Sequence, residues 1–430
     1  MSDRRLRILH RIGLALLILA GADARAQEPA PAARVREIAF EGNDTTQPGT
    51  MLREMVIHVG DPAEPRAIER SRQAIQDLGL FRSVDVRQEP ADGGVRLVFT
   101  VKEKYFLLPL PRASVNSDAQ YSYGFGLRWY NVLGLNHTAH LTVERRNRQQ
   151  AGRGTGLQYG ATYDAPFLFD SPYGLSTSFA HVSEPAETLA GVPYDELRDS
   201  ARLVVSRAFS EGPASQGWRA GAGLQWQDQV TRGVGAPPSQ GMATALVLNG
   251  GYGDVRYNLY SEEGQRVSAE VQSTFDNASS DYDYTSVVGG YDGSWYVGDT
   301  PHQSLGLFAE AGAFHGGPDG GSQAFQLGGS DNLRGYRHNF IEGDTFYYVG
   351  AEFLRPLHWD WLRGVAFIEA GNTFNGDSNA KLEYSYADVG LGLRLRATWF
   401  VRFELNIGVA LPLVDAGDGT AARVFATGRR

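Results

Sequence analysis

The chain has 430 residues, contains no cysteine and carries a formal net charge of −9. Its length exceeds that of one ordinary domain, so we expect at least two folded units. The lack of cysteine excludes a disulfide framework and an acylated-cysteine lipid anchor, and the acidic balance argues against nucleic acid as a partner.

The first 26 residues have the pattern of a secretory signal peptide. Four arginines precede an apolar core at residues 12–20, and Ala24-Arg25-Ala26 provides a small-x-small cleavage site. The alternative, an amphipathic helix, is disfavoured because the core is apolar on every side. Removal of residues 1–26, which hold five arginines and two aspartates, changes the charge to 35 − 47 = −12. Residues 27–33 then read as a Pro/Ala-rich linker.

Residues 34–104 read as a small α+β domain with the order β-α-α-β-β. Apolar residues alternate in 35–43 and recur at helical spacing in 50–59 and 65–78, and two further alternating runs follow around Asp92-Gly93-Gly94. The opening V-x-x-I-x-F-x-G-N, the L-G-L-F at 78–81 and the closing V-x-E resemble a polypeptide-transport-associated (POTRA) domain. The resemblance implies a periplasmic domain that binds unfolded clients or partner proteins, often by strand addition. The alternative is a domain that only packs beneath a barrel.

Residues 105–430 predict a transmembrane β-barrel of about 16 antiparallel strands. Segments of about 9–11 alternating residues recur between turns rich in Gly, Asn, Asp and Pro, and no run of 18 apolar residues occurs after Ala26. In 389–396 and 401–411, apolar residues alternate with polar residues or glycine. A soluble sandwich shows similar alternation, but the signal peptide and the number of segments favour a lipid-facing wall around a polar lumen.

Three strand-like segments carry a carboxylate on the face that alternation directs inward. Aliphatic neighbours define the lipid face, which leaves Glu310, Glu352 and Glu369 in the lumen. The opposite register would place each carboxylate in hydrocarbon. Three carboxylates on neighbouring walls repel one another unless a cation joins them, and Arg334, on a glycine-rich loop between two of these segments, can supply it.

The loop that contains Arg334 has a specific sequence pattern, F-x-x-G-G-x-x-x-L-R-G-Y. It matches the loop-six signature of the bacterial outer-membrane assembly and translocation superfamily, to which BamA, TamA and the two-partner-secretion transporters belong. The resemblance implies that the loop folds into the barrel and that Arg334 contacts Glu352 and Glu369; the family usually has Asp in place of Glu369. The motif residues are Phe325, Gly328, Gly329, Leu333, Arg334, Gly335 and Tyr336.

Two features depart from that superfamily. Only one POTRA-like domain is present, and the C-terminal sequence ARVFATGRR lacks a terminal aromatic residue, Phe425 being the nearest. In the family the first and last strands form a seam that is thought to open for clients. The unusual last strand is therefore expected to affect both the strength of that seam and the C-terminal signal for assembly of the barrel.

The resemblance implies an outer-membrane insertase or translocase that receives unfolded or secreted client proteins. Its expected surroundings are the outer-membrane bilayer and partner proteins of the periplasm or inner membrane. The alternatives are a purely structural role for Arg334, or a passive pore in which inward Arg394, Arg396 and Arg402 oppose the three glutamates. An enzyme is disfavoured because no G-x-S-x-G or H-E-x-x-H motif occurs. We therefore expect no catalytic residue, no metal and no cofactor.

Overall fold

The computed structural model describes residues 33–115, 121–147, 155–187, 193–210, 212–236, 238–274, 279–317, 325–375, 385–415 and 421–429. The predicted signal peptide and all but the end of the linker lie outside these ranges. Within them, no helix combines the length and the apolar character needed to cross a membrane.

The N-terminal domain has the predicted order β-α-α-β-β. Its sheet has the strand order β1-β3-β2, with β1 parallel to β3 and β2 antiparallel to it. One face of α2 is buried against this sheet, because Ile68, Ala74 and Ile75 recur at helical spacing. Gly79 follows the helix with φ +73°, a left-handed conformation that glycine adopts without steric cost. The bounds are β1 Val35–Glu41, α1 Pro48–Leu52, α2 Pro65–Asp77, β2 Phe81–Ala91 and β3 Gly94–Glu103. The first helix is shorter than the 50–59 pattern indicated.

The remainder forms a closed antiparallel barrel, which confirms the predicted fold class. Over the described residues its closed order contains seventeen strand segments, one of which, β12, has three residues and pairs only with β13. Sixteen strands therefore build the wall. Their bounds, with β12, are β4 Leu107–Val115, β5 Tyr121–Val132, β6 His137–Asn147, β7 Thr155–Ala165, β8 Tyr173–Glu187, β9 Pro193–Phe209, β10 Gly217–Arg232, β11 Gly241–Gly253, β12 Arg256–Asn258, β13 Ser261–Thr274, β14 Tyr284–Tyr296, β15 Ser304–Gly316, β18 Thr345–Pro356, β19 Leu362–Phe374, β20 Tyr386–Ala397, β21 Phe403–Pro412 and β22 Arg423–Arg429.

The alternation predicted from sequence holds in the wall. In β20 the outward Leu391 is 69% exposed, whereas the inward Arg394 is 4% exposed. Glu404 and Asn406 of β21 are likewise buried on the inner side. Arg402 is an exception: it precedes β21 with φ +48° and is exposed in the turn, so it does not face the lumen as the strand pattern predicted.

The N-terminal domain is seated on one rim of the barrel, which we call the near rim. The backbone N–H of Gln47 donates to the carbonyl oxygen of Gly134 in the β5–β6 turn (3.0 Å). Glu54 accepts from the backbone N–H of Ser215 in the β9–β10 turn (2.8 Å). Val401, from the β20–β21 turn, is part of the domain's own apolar core. The domain thus contacts turns on several sides of the rim.

A long connection between β15 and β18 carries the loop motif. Two short strands, β16 Phe325–Leu327 and β17 Ile341–Gly343, pair antiparallel and form its base. Gly328 and Gly329 follow β16 with φ +113° and +124°, conformations that side chains disfavour. The carbonyl of Gly328 accepts from the N–H of Asn339 (3.2 Å), which closes the loop above the hairpin.

Candidate functional site

The tip of the loop is a tight turn that directs backbone donors at carboxylates. The N–H of Tyr336 donates to the carbonyl of Leu333 (2.9 Å), with φ +43° at Leu333. The backbone N–H of Arg334 donates to Glu369 Oε2 (3.1 Å), and that of Gly335 donates to Asp388 Oδ2 (3.1 Å). Consecutive N–H groups in such a turn form a small anion-binding concavity.

The side chain of Arg334 joins two of the predicted carboxylates. Its Nη2 atom lies 2.9 Å from Glu352 Oε1 and 2.5 Å from Glu369 Oε1. Glu369 is 1% exposed and Arg334 is 6% exposed. Buried charges are tolerated only when they are paired and hydrogen-bonded, so the loop tip and the β18–β19 wall depend on each other.

Two aromatic rings complete the seat of the guanidinium. The Cζ atom of Arg334 lies 3.6 Å from the centroid of the Phe367 ring and 5.2 Å from that of Phe425. A guanidinium over a ring face gains electrostatic attraction, worth about 2 kcal/mol when desolvated. The arginine is therefore held by carboxylates on one side and by aromatic faces on the other.

Further polar groups orient the two glutamates. The hydroxyl of Tyr348 donates to Glu369 Oε1 (2.7 Å). Arg394 donates from Nη2 to Glu352 Oε2 (2.6 Å) and from Nε to Asn406 Oδ1 (2.5 Å). The network thus extends from the loop across four successive strands, β18 to β21.

The remaining motif residues pack the loop against the wall. Leu333 is fully buried and lies in an apolar cluster with Leu327, Tyr336, Phe346 and Tyr348. The Tyr336 hydroxyl donates to the carbonyl oxygens of Ala387 (2.9 Å) and Val414 (3.1 Å). Both ends of the motif are therefore fixed by apolar packing and by backbone acceptors.

The structure does not bring Glu310 into this cluster. Glu310 is on the inward face of β15, as the alternation predicted, but its side chain is exposed to the lumen. Within the described residues no ion pair joins it to Arg334. Its ladder neighbour on β18 is Tyr348, whose ring points into the lumen toward Glu369. Alternation predicted that Glu310 faces the lumen, but it could not predict which side chains of the neighbouring strands lie beside Glu310.

Asp388 is a member of the site that the sequence reasoning missed. It is fully buried on β20 and lies directly opposite Glu369 in the β19–β20 ladder. The alternation that directs Arg394 and Arg396 inward also applies to Asp388, so the signal was present. Its Oδ1 has no hydrogen-bond partner in the described part of the chain.

Replacement of Asp388 by asparagine is expected to leave the barrel as stable as the wild type, or more stable by up to about 1 kcal/mol. Like charges directly opposite in a ladder are destabilising, and the amide oxygen can still accept the Gly335 N–H. Urea unfolding in detergent measures the difference. Asp388→Ala is the control, since it removes the acceptor as well; an equal loss of stability in both variants would contradict the prediction.

The junction between the N-terminal domain and the near rim contains a buried lysine. Lys104 Nζ donates to the Tyr257 hydroxyl (2.6 Å) and to the carbonyl of Gly79 (2.9 Å). The backbone N–H of Tyr257 in turn donates to Asp77 Oδ1 (2.8 Å). Burial lowers the pKa of Lys104 to about 7, aided by the positive charges of Arg396 and Arg402 and opposed by Glu262. The junction therefore favours a neutral amine.

We expect the stability of this junction to rise with pH from about 7 to about 10. Over that range the unfolded chain, with an ordinary lysine pKa of about 10.4, binds more protons than the folded chain, so the free energy of unfolding increases with pH. Thermal unfolding of the full chain across this range measures the slope. Lys104→Met should flatten it, whereas Lys102→Met, at an exposed position, should not; a slope unchanged by Lys104→Met would contradict this assignment.

The described residues contain no group of three or more His, Asp or Glu side chains arranged to hold a metal ion. The absence of a metal, a cofactor and catalysis stays a prediction. What the site can do is non-covalent: it fastens a loop to the lumen wall.

Two domain families match the sequence. A POTRA model, described as a surface antigen variable number repeat, matches residues 33–104. The Omp85 superfamily domain matches residues 131–428, more than half of the chain.

Two curated relatives are both described as outer membrane protein assembly factor BamA. The protein of Neorickettsia risticii is 25% identical over 211 residues, which cover 45% of this chain and 28% of the relative. That of Nitratidesulfovibrio vulgaris is 33% identical over 70 residues, which cover 16% of this chain and 9% of the relative. The matched regions thus span less than a third of each relative.

Solved structures share the fold. BamA from Haemophilus ducreyi lacking POTRA domains 1–3 aligns over 92% of this chain and 84% of its own, with a TM-score of 0.53 and 16% identity. CdiB from Acinetobacter baumannii aligns over 91% and 73%, with a TM-score of 0.60 and 14% identity. CdiB from Escherichia coli aligns over 92% and 75%, with a TM-score of 0.60 and 15% identity.

These matches agree with the geometry of the N-terminal domain, the sixteen-stranded wall and the inward loop. The chain belongs to the Omp85 superfamily and carries an N-terminal POTRA domain.

Proposed function

We propose that this protein accepts unfolded or secreted client polypeptides at a periplasmic POTRA domain and inserts or exports them through an outer-membrane barrel. The observation that carries the proposal is the seating of Arg334 on Glu352 and Glu369 inside a barrel of this superfamily. The names of the BamA relatives, as assembly factors, support the same function.

The position of the POTRA domain supports delivery of a client to the barrel. The domain contacts the β5–β6 turn through Gln47, the β9–β10 turn through Glu54 and the short strand β12 through Asp77. Its sheet keeps β1 and β2 as edge strands, and an extended client can pair with such an edge. A client bound there is held by a domain that is itself seated on the near rim.

The junction of the first and last barrel strands, which we call the seam, lacks two backbone donors on the side of β4. The N–H of Tyr130 donates to the carbonyl of Phe106 (2.8 Å), so even-numbered residues of β4 bond to β5 and odd-numbered residues turn toward β22. Pro109 and Pro111 are odd-numbered and have no N–H. They occupy two of the five odd positions in β4. A seam with two missing donors opens at lower cost than the same seam with all its backbone donors.

Restoring these donors is expected to stabilise the seam. Pro109→Val with Pro111→Val adds two backbone N–H groups at lipid-exposed positions, and each hydrogen bond contributes about 0.5–1.5 kcal/mol. We expect a higher unfolding temperature and slower client insertion. The control is Leu108→Val with Leu110→Val, which adds no donor; equal effects in both double variants would contradict the proposed role of the seam.

The passive-pore alternative required opposed charges across the lumen. Instead, Arg394 pairs with Glu352, Arg396 pairs with Glu404, and Arg402 is in a turn. The two inward arginines are therefore neutralised by glutamates of the same wall. They do not form a positive face opposite a negative face across the lumen. The geometry therefore favours client handling over solute selection.

A reconstituted assay tests the proposed function. A urea-unfolded eight-stranded outer-membrane barrel protein is added to liposomes that contain the full chain, to liposomes that contain Arg334→Ala, and to empty liposomes. The proposal expects faster folding with the wild type than with either comparison. Folding no faster than in empty liposomes, together with a steady solute-selective current across a bilayer, would support the passive pore instead.

A further inference from the structure

The last barrel strand is attached to the loop through its lumen side. Phe425, on β22, is 4% exposed and faces inward, whereas the neighbouring Val424 is 79% exposed and faces outward. The Phe425 ring meets the Phe367 ring edge-on at 5.5 Å between centroids, and the Arg334 guanidinium lies over both rings. Phe425 therefore does not serve as an outward terminal aromatic residue.

The wall is shaped to receive the Phe425 ring. Gly408 lies directly opposite Phe425 in the β21–β22 ladder. A Cβ atom at Gly408 would lie 2.6 Å from Phe425 Cζ, which is too close for any side chain. Leu354 and Ala410 complete the apolar socket. The ring is thus packed as a fixed part of the lumen surface.

A second contact joins the loop to the same strand. The hydroxyl of Thr427, two residues after Phe425 and on the same inward face, donates to Asp331 Oδ1 of the loop (3.0 Å). Asp331 and Arg334 both belong to the loop between β16 and β17. Two points of one loop therefore contact two successive inward positions of β22.

We infer that the loop is the brace that holds β22 in the closed wall, so that release of the Arg334 tip loosens the seam. The lateral edge of β22 faces β4, where Pro109 and Pro111 supply no donors, and β22 has only seven residues. Contacts from the lumen therefore add to the pairing of these seven residues with β21 in keeping the strand in place. The consequence for client entry rests on the proposed function; the brace itself does not.

Amide hydrogen exchange of the full chain in lipid nanodiscs tests the brace. The key variant is Gly335→Ala, because the three atoms nearest to a methyl group there belong to Asp388 of β20 and to Leu411 and Pro412 of β21, so the substitution acts on the loop tip and not directly on β22. We expect amides of residues 423–429 to exchange about tenfold faster in this variant, since about one aromatic contact and one hydrogen bond are lost. Amides of β9 and β10 should be unchanged.

A second variant acts on the strand instead of the loop. Phe425→Leu with Thr427→Val removes the aromatic and hydroxyl contacts but keeps apolar residues, and we expect the same faster exchange in 423–429. Phe314→Leu, at an inward aromatic of β15 packed on Tyr284, is the control and should leave these amides unchanged.

The outcomes separate the brace from the proposed function. Unchanged exchange of 423–429 in Gly335→Ala, while the loop is displaced, would overturn the brace even if client insertion were normal. Faster exchange with client insertion no better than in empty liposomes would support the brace and count against the insertase.

Discussion

Arg334→Ala is expected to lower the free energy of unfolding by about 3–5 kcal/mol, because it leaves the buried Glu369 without its cation and leaves Glu352 with Arg394 as its remaining arginine partner. Removal of one partner of a buried ion pair costs far more than the pair itself contributes. The lost stacking on Phe367 adds to the effect. Urea unfolding in detergent, and the temperature at which the folded band disappears on a semi-native gel, measure the change.

Arg334→Lys is the matched control for charge. Lysine keeps the positive charge but has no planar fork to contact two carboxylates while lying flat on a ring. We expect it to recover only part of the lost stability. Full recovery would show that charge alone matters and would contradict the geometric role of the guanidinium.

The same pair of variants separates a structural brace from a functional loop. Client insertion is compared at a temperature well below the unfolding transition of both variants. If Arg334 only stabilises the barrel, folded Arg334→Lys inserts clients at the wild-type rate. A reduced rate in fully folded protein indicates a role beyond stability.

Gly335→Ala is expected to displace the loop tip and to lower stability by several kcal/mol. A Cβ atom at this position would lie 2.7 Å from Asp388 Cβ and 2.9 Å from the backbone nitrogen of Pro412. Both are fixed parts of the wall, so the loop must retract and give up its hydrogen bonds to Glu369 and Asp388. The cost combines overpacking with buried acceptors left unpaired.

Unfolding by urea and protease sensitivity of the loop measure this displacement. Gly212→Ala is the control, since a Cβ there would meet nothing within 4 Å. A stable Gly335→Ala protein with a protected loop would mean that the tip tolerates a methyl group and that its close approach to the wall is not required.

The inward face of each strand was predictable because side chains alternate with a period of two. Glu352 and Glu369 have inward faces in the structure, as their aliphatic neighbours indicated. Asp388 could have been found by the same rule. Arg334 was identified because its loop is rich enough in glycine to fold inward and because the motif resembles the loop-six signature of the superfamily.

Other parts of the site depend on positions distant in sequence. Glu310 faces the lumen as predicted but does not contact Arg334, because the register of β15 against β18 places it beside Tyr348. The role of Phe425 depends on closure of the barrel, which brings the last strand within reach of the loop. Lys104 and Glu54 were missed because their burial arises only when the N-terminal domain meets the near rim.

The sequence by itself determined the two-domain order, the barrel class, the polarity of each wall face and the arginine of the loop. These follow from local patterns: strand alternation, turn residues and a short motif. Only the tertiary structure decided which inward charges form ion pairs, that Asp388 lies opposite Glu369, and that the loop contacts the last strand. Those contacts depend on strand register and barrel closure. Both result from the pairing of all the strands and cannot be read from any single segment.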